Sequence, residues 1–344
     1  DHRDLHLSLR RQRQMCIRDS TTRAFWVQKP GLGEIVLSKL KPMGPDDVLV
    51  RASYSGISRG TETLVFRGEV PISSYDAMRA PFQEGTFPAP IKFGYISVGV
   101  IESAGDAGKA LVGKDVFCLY PHQDRYVVPA SAVTVLPPGV PTGRAVLAAN
   151  METALNAVWD AKVSLGDRVV VVGGGVLGLL VSWLIAKIPA TDVTVIDPNE
   201  KHAFVAEQLG VRFAVSVPDD CDADVVVHAS GNPEGLADGL KAAGVEGRVV
   251  ELSWFGDAPV SLPLGEAFHD RRLTIRSSQV GRIPPERAPR WNHTRRMAVA
   301  LSLLKDNALD ALISDESGFE ELPRVMERLA LSGEDSLCHR IRYN

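Results

Sequence analysis

The 344-residue chain has only four cysteines, Cys16, Cys118, Cys221 and Cys338. They lie far apart and none forms a Cys-x-x-Cys pair, which excludes a disulfide scaffold and a four-cysteine zinc lobe and fits a reducing compartment. No net charge of consequence is present, because 38 lysines and arginines face 42 aspartates and glutamates. Nothing therefore supplies the global basic field that would hold nucleic acid or anionic lipid. Long apolar runs are missing too. The longest, around Val169–Val172 and Val176–Ile188, is broken by glycines and carries Ser182 and Lys187, whereas a membrane span needs roughly 18 apolar residues. What remains is an ordinary globular composition, 45% hydrophobic and 23% charged. At roughly 150 residues per domain, this length points to about two domains.

Residues 1–20 are unlike the rest, with five arginines against three aspartates and no aromatic residue to stack a base. They have neither the apolar core of a secretory signal nor the acid-poor composition of a transit peptide. Met15-Cys16-Ile17-Arg18-Asp19-Ser20 resembles the conceptual translation of a sequencing-library adaptor. Natural sequence is expected to start near Thr21, and residues 1–20 are left out of the fold and site reading.

From Thr21 the pattern is strand-like. Arg23–Val27 and Gly33–Ser38 alternate about Pro30-Gly31, and Asp47–Ser53, Phe93–Ser103, Lys114–Leu119 and Arg125–Val128 read as further short strands. Gly60–Thr86 reads as an irregular loop with one helical turn. Residues 21–145 thus suggest a small β-barrel-type domain. Past Pro137-Pro138 an alanine-rich helix, Thr142–Lys162, leads into alternating strands and helices. That alternation marks a doubly wound parallel sheet over residues 146–304, an α/β architecture. Residues 305–344 read as a return segment with a helix at Phe319–Leu331 and a strand near His339–Tyr343.

The strongest motif is Gly173-Gly174-Gly175-Val176-Leu177-Gly178, a Gly-x-Gly-x-x-Gly between a valine run and a helix. Its glycines permit a tight turn and close approach of a pyrophosphate, and the following helix offers free N–H groups and a positive dipole end. An acid ends the next strand, Asp197. A carboxylate there accepts both ribose hydroxyls and repels a 2′-phosphate, so NAD is expected ahead of NADP, with NADP possible. Lys201 and His202 read as a solvated helix face that could touch a 2′-phosphate only if that preference is relaxed. Ser230, in His228-Ala229-Ser230-Gly231-Asn232, ends a strand at the edge where loops approach a cofactor.

These parts together resemble the medium-chain dehydrogenase/reductase superfamily, whose best-known members are the alcohol dehydrogenases. The resemblance covers nearly everything from Thr21 to Asn344 and implies a GroES-like catalytic domain before the Rossmann domain. The tracts Ser55-Gly56-Ile57-Ser58-Arg59-Gly60-Thr61-Glu62 and Gly94-Tyr95-Ile96-Ser97-Val98-Gly99 look most like the branch containing bacteriochlorophyllide a dehydrogenase, which oxidises a hydroxyethyl side chain to acetyl. Phe268–Gly281 resembles the family's sheet-edge strand and cofactor loop, implying a homodimer.

Where zinc-dependent relatives carry a cysteine and a His-Glu pair, this chain has Ser58 and Tyr95-Ile96, and near Ala149, where they carry a further cysteine, it has alanine. Serine, tyrosine and alanine are not a zinc ligand set, so no zinc is expected. Hydride transfer without a metal needs a proton donor or acceptor and a dipole to polarise the carbonyl. Tyr95 stands at a lost ligand position, although an ordinary phenol pKa near 10 counts against it. His122 is either an acid/base group near neutrality or a solvent-facing loop histidine. Ser58 and Thr61 could relay a proton, and Glu62 could hold Arg59, which by resemblance contacts the pyrophosphate. Asn150 and Glu152 open a helix beside the cleft, as caps or as substrate contacts. The arginines around His269 and His293 read as a solvated face.

The leading expectation is a cytoplasmic, zinc-independent, NAD(P)-dependent oxidoreductase acting on a secondary alcohol or its ketone. Its partner would be a small-molecule substrate, with no nucleic acid and no membrane. Quinone reductase-like reduction of a conjugated double bond, or a nucleotide-binding homologue without catalysis, are the alternatives.

Overall fold

The computed structural model describes residues 21–332 and 335–344, so the expectation for residues 1–20 lies outside the described residues. Three sheets form the α/β frame.

β1 (Thr21–Lys29) and β2 (Leu32–Lys39) make the expected hairpin, and β4 (Glu84–Gly85) and β5 (Ile91–Lys92) extend it in the order β2-β1-β5-β4. β3 (Asp47–Gly56) lies in a mixed sheet with β6 (Ser97–Ala104), β7 (Asp115–Cys118), β8 (Arg125–Pro129) and β9 (Val133–Val135). The chain between β3 and β4 forms a helix, α1 (Arg59–Arg67), where the sequence suggests an irregular loop with one helical turn. Its β-branched and aromatic content hides its period. Its ends are marked, however, by Ser58 at the N-cap and by Gly68 in the left-handed region (φ 77°) just past the last turn.

α2 (Ala148–Ala161), preceded by a 3₁₀ turn over Ala145–Leu147, leads into the second half. There β10 (Arg168–Val172), α3 (Val176–Ile185), β11 (Asp192–Ile196), α4 (Lys201–Gln208), β12 (Arg212–Ala214), β13 (Ala223–His228), α5 (Pro233–Ala242), β14 (Ala243–Glu251), α6 (Ala267–Asp270) and β15 (Thr274–Ser277) follow. The six strands are all parallel, in the order β12-β11-β10-β13-β14-β15, the arrangement of a dinucleotide-binding sheet. Helices cover both faces, so the central strands read as unbroken valine runs rather than alternating ones. Val169–Val172 and Val225–Val227 are all buried.

α7 (His293–Leu303), β16 (Ile313–Gly318), α8 (Leu322–Leu331) and β17 (Cys338–Arg342) complete the chain. β17 returns to pair antiparallel with β3, so the last segment is built into the first half. Ile96, just before β6, and Val98 within it share one hydrophobic core with Ala145–Ala149 leading into α2 and with Val169 and Val171 of the parallel sheet. That shared core fixes the start of β6 relative to the glycine turn.

Candidate functional site

Two groups of side chains carry chemistry. The first is the turn after β10. Gly173 adopts φ +112°, and a Cβ on Gly178 would lie 1.9 Å from the Gly173 carbonyl oxygen, so helix and strand meet at this distance only with glycine. Gly174 and Gly175 complete the turn, and Val176 and Leu177 open α3. Gly175, at the N-cap, has no side chain with which to occupy the free N–H groups of that first turn.

Asp197 follows the end of β11. One of its carboxylate oxygens accepts the Gly174 N–H at 2.6 Å and the other accepts the Asn199 N–H at 2.8 Å. Burial works against its ionisation, but His202 and these two N–H donors hold the carboxyl below its usual range. Ser230 is exposed beside the turn. Its Oγ lies 2.6 Å from His228 Nε2, and His228 Nδ1 lies 2.7 Å from Glu251 Oε2.

The second group is gathered from α1, the residues around β6, the loop after β7 and the C-terminal end. The Tyr95 hydroxyl donates to Ser58 Oγ at 2.6 Å and also bonds Thr61. Burial, with the Glu62 carboxylate nearby, pushes the phenol up to about 12. Glu62 is buried. One oxygen accepts the Ser58 N–H and the other meets His122 Nε2, both at 2.8 Å. His122 Nδ1 contacts Ser55 Oγ at 2.7 Å, and Ser55 Oγ lies 3.0 Å from the Tyr343 hydroxyl. A consistent chain runs Tyr343 O–H to Ser55, Ser55 O–H to His122 Nδ1, and His122 Nε2–H to Glu62.

Several expectations change here. His122 faces no solvent, since it is 1% exposed. Glu62 points inward to His122 instead of holding Arg59. Arg59 Nη1 lies 3.7 Å from Asp335 Oδ1. Glu152 neither caps α2 nor opens to a cleft. It is buried and bonded at 3.0 Å by Arg296, which is 1% exposed and so is not part of a solvated arginine face. His202 is also buried, with Nε2 3.3 Å from Asp335. Ser55, Tyr343, His228, Glu251 and Asp335 are not among the residues that the sequence nominates. The position of His228 at a strand end was a usable sign. For the others, partners far along the chain leave no local trace.

No family model matches the chain. A curated relative, the D-guloside 3-dehydrogenase of Escherichia coli K12, is 25% identical over 292 residues, spanning 77% of this chain and 83% of that protein. Solved structures share the fold. A putative zinc-binding dehydrogenase from Sinorhizobium meliloti 1021, bound to NADP, superposes with a TM-score of 0.74 at 20% identity, over 94% of this chain and 99% of that one. A short chain alcohol dehydrogenase from Escherichia coli CFT073, complexed with NADH, gives a TM-score of 0.74 at 16% identity, over the same shares of both chains. The relatives' names and the shared fold support an alcohol dehydrogenase-like oxidoreductase, similar to the medium-chain, zinc-type dehydrogenases.

Proposed function

We propose that this protein is a zinc-independent dehydrogenase that prefers NAD and interconverts a secondary alcohol of a small polyhydroxylated molecule with its ketone. The observation that carries the reading is the Tyr95–Ser58 pair, a phenol and a hydroxyl bonded at 2.6 Å. By resemblance these are the positions where zinc relatives place ligands. A protonated phenol and a serine hydroxyl do not suit Zn²⁺, which takes thiolate, imidazole and carboxylate. Among the described residues no group of three or more His, Cys, Asp and Glu side chains gathers elsewhere as a substitute site.

Nicotinamide, when bound, supplies the hydride. The Gly173–Gly178 turn and Arg59 would hold its pyrophosphate, Asp197 the ribose hydroxyls, and Ser230 the neighbouring edge. Tyr95 keeps its proton at neutral pH and would turn it from Ser58 Oγ to the carbonyl oxygen, stabilising charge as it develops there, the phenolate left behind regaining a proton from solvent. Ser58 and Thr61 orient the phenol. Glu62 and His122 act behind them, holding the Ser58 backbone. In the oxidative direction the same phenol would have to accept a proton as phenolate, so this geometry favours ketone reduction at neutral pH.

The division into residues 21–145, 146–304 and 305–344, with a GroES-like domain first, belongs to this reading, as does the bacteriochlorophyllide-like branch. A cytoplasmic homodimer does too. β15 ends the parallel sheet and offers an edge for pairing, and no helix among the described residues is long and apolar enough to cross a membrane.

The test is titration of NADH and NADPH with metal content read on the same sample, followed by hydride transfer to a panel of ketones. Tighter NADH binding, turnover insensitive to chelators and no stoichiometric zinc are expected. Bound zinc with chelator-sensitive turnover overturns the metal-free reading, and binding of neither nucleotide overturns the whole.

A further inference from the structure

His202 is placed for a task that a solvated helix residue could not perform. Its side chain is 8% exposed, and its Nδ1 is a buried nitrogen with no hydrogen-bond partner. That nitrogen stands 3.6 Å from Asp197 Oδ2 and 3.1 Å from where a Cβ on Gly174 would sit. The same missing Cβ would lie 3.1 Å from Asp197 Cβ. The second glycine of the turn therefore leaves a cradle walled by one carboxylate and one imidazole. On the other side of the ring, Nε2 lies 3.3 Å from Asp335 Oδ1 and from Asn199 Nδ2.

Taking the dinucleotide reading as its premise, we propose that His202 sets the choice between NAD and NADP, admitting a ribose 2′-phosphate when it carries a proton and leaving Asp197 to exclude one when it does not. Asp197 alone faces two ribose hydroxyls well and a phosphate dianion badly. A protonated imidazole adds an N–H donor at Nδ1 and a positive charge, which suits a phosphate oxygen. The charged groups around the ring are Asp197 from the end of β11, Asp335 from the segment before β17, and Arg59 of α1, which approaches the same Asp335 oxygen as His202 does. Asp197 first, then Asp335, holds the imidazolium, and together they outweigh the opposing effect of burial, so the ring titrates above the ordinary histidine range.

The experiment measures Kd for NADH and NADPH on the full chain from pH 5.5 to 9, in wild type, His202→Gln and Asp335→Asn. The 2′-phosphate itself titrates near pH 6, so the readout is the difference between wild type and variant in the NADPH-to-NADH Kd ratio. In wild type the ratio should rise by about tenfold more across this range than in H202Q, the scale of one charged hydrogen bond. In D335N the rise should persist with its midpoint moved to lower pH. Equal slopes in wild type and H202Q, with NADH still bound, overturn the inference while leaving the dinucleotide site standing. An unshifted midpoint in D335N counts against it even if H202Q proves unstable. Loss of binding of both nucleotides at every pH instead brings down the reading on which the inference rests.

Discussion

The glycine turn and the hydroxyl cluster are built by opposite means. Gly173–Gly178 and Asp197 come from one strand–helix–strand unit, and the Asp197 carboxylate is held by backbone N–H groups of that same unit. Ser55, Ser58 and Glu62 come from one short tract, but Tyr95, His122 and Tyr343 reach them from elsewhere in the chain, with Ser55 and Tyr343 separated by 288 positions. A change in the turn should therefore act locally and sterically. A change in the cluster should spread through shared protons and acceptors.

The largest expected effect tests the cluster at its half-buried phenol. Tyr95→Phe should lower kcat by about 10²–10⁴-fold, the range for a lost general acid, with KM and NADH affinity little changed. Kinetics at saturating cofactor would read it, and activity within threefold of wild type would remove Tyr95 from the chemistry. Next comes its buried end. Glu62→Ala leaves the Ser58 N–H and His122 Nε2 without acceptors, at about 1–3 kcal/mol per group. Urea unfolding should show the lost stability, and turnover should fall with it because Ser58 is no longer held.

Gly178→Ala probes the turn instead. Its Cβ would sit 1.9 Å from the Gly173 carbonyl oxygen, so the helix must shift. The expected cost is about 1–3 kcal/mol, with at least about tenfold weaker NADH binding, seen by fluorescence titration. If affinity survives while stability falls, the turn is structural only.

The pH profiles sharpen the contrast further. With the phenol at about 12, ketone reduction should be independent of Tyr95 ionisation through neutral pH and decline only toward pH 12. Alcohol oxidation needs the phenolate and should rise with pH without a plateau below 10. A plateau near pH 7 would assign the proton to another group. The smallest effect is Asp197→Asn, which should weaken NADH by about tenfold or less and narrow its lead over NADPH.

The same contrast explains what was legible in the sequence. The hairpin of β1 and β2, the valine strands and the glycine turn with its acid were readable because pattern and partner lie within a few dozen residues. α1 was not, since Thr61, Thr63 and Val65 suggest extended chain, and only tertiary burial of Val65 and Phe66 overrides that preference. Tyr95 and Ser58 could be nominated through the family resemblance, and Thr61 beside them, and the three prove to be neighbours. The partner of Glu62 could not be read, because Arg59 is three residues away while His122 is 60. His202 was misread for the same reason. Asp335, which makes its ring an interior group, lies more than a hundred residues further on.

The pairing of β17 with β3 has a consequence for how the protein is made. On the ribosome the whole parallel sheet emerges before β17 does, and strands that neighbour one another in sequence can assemble as they appear. The sheet that carries the hydroxyl cluster must wait, because its closing strand is translated after every strand of the parallel sheet. A nascent chain would thus acquire its nucleotide fold first and its chemistry last. A polypeptide stalled before β17 could hold a cofactor without being able to turn it over.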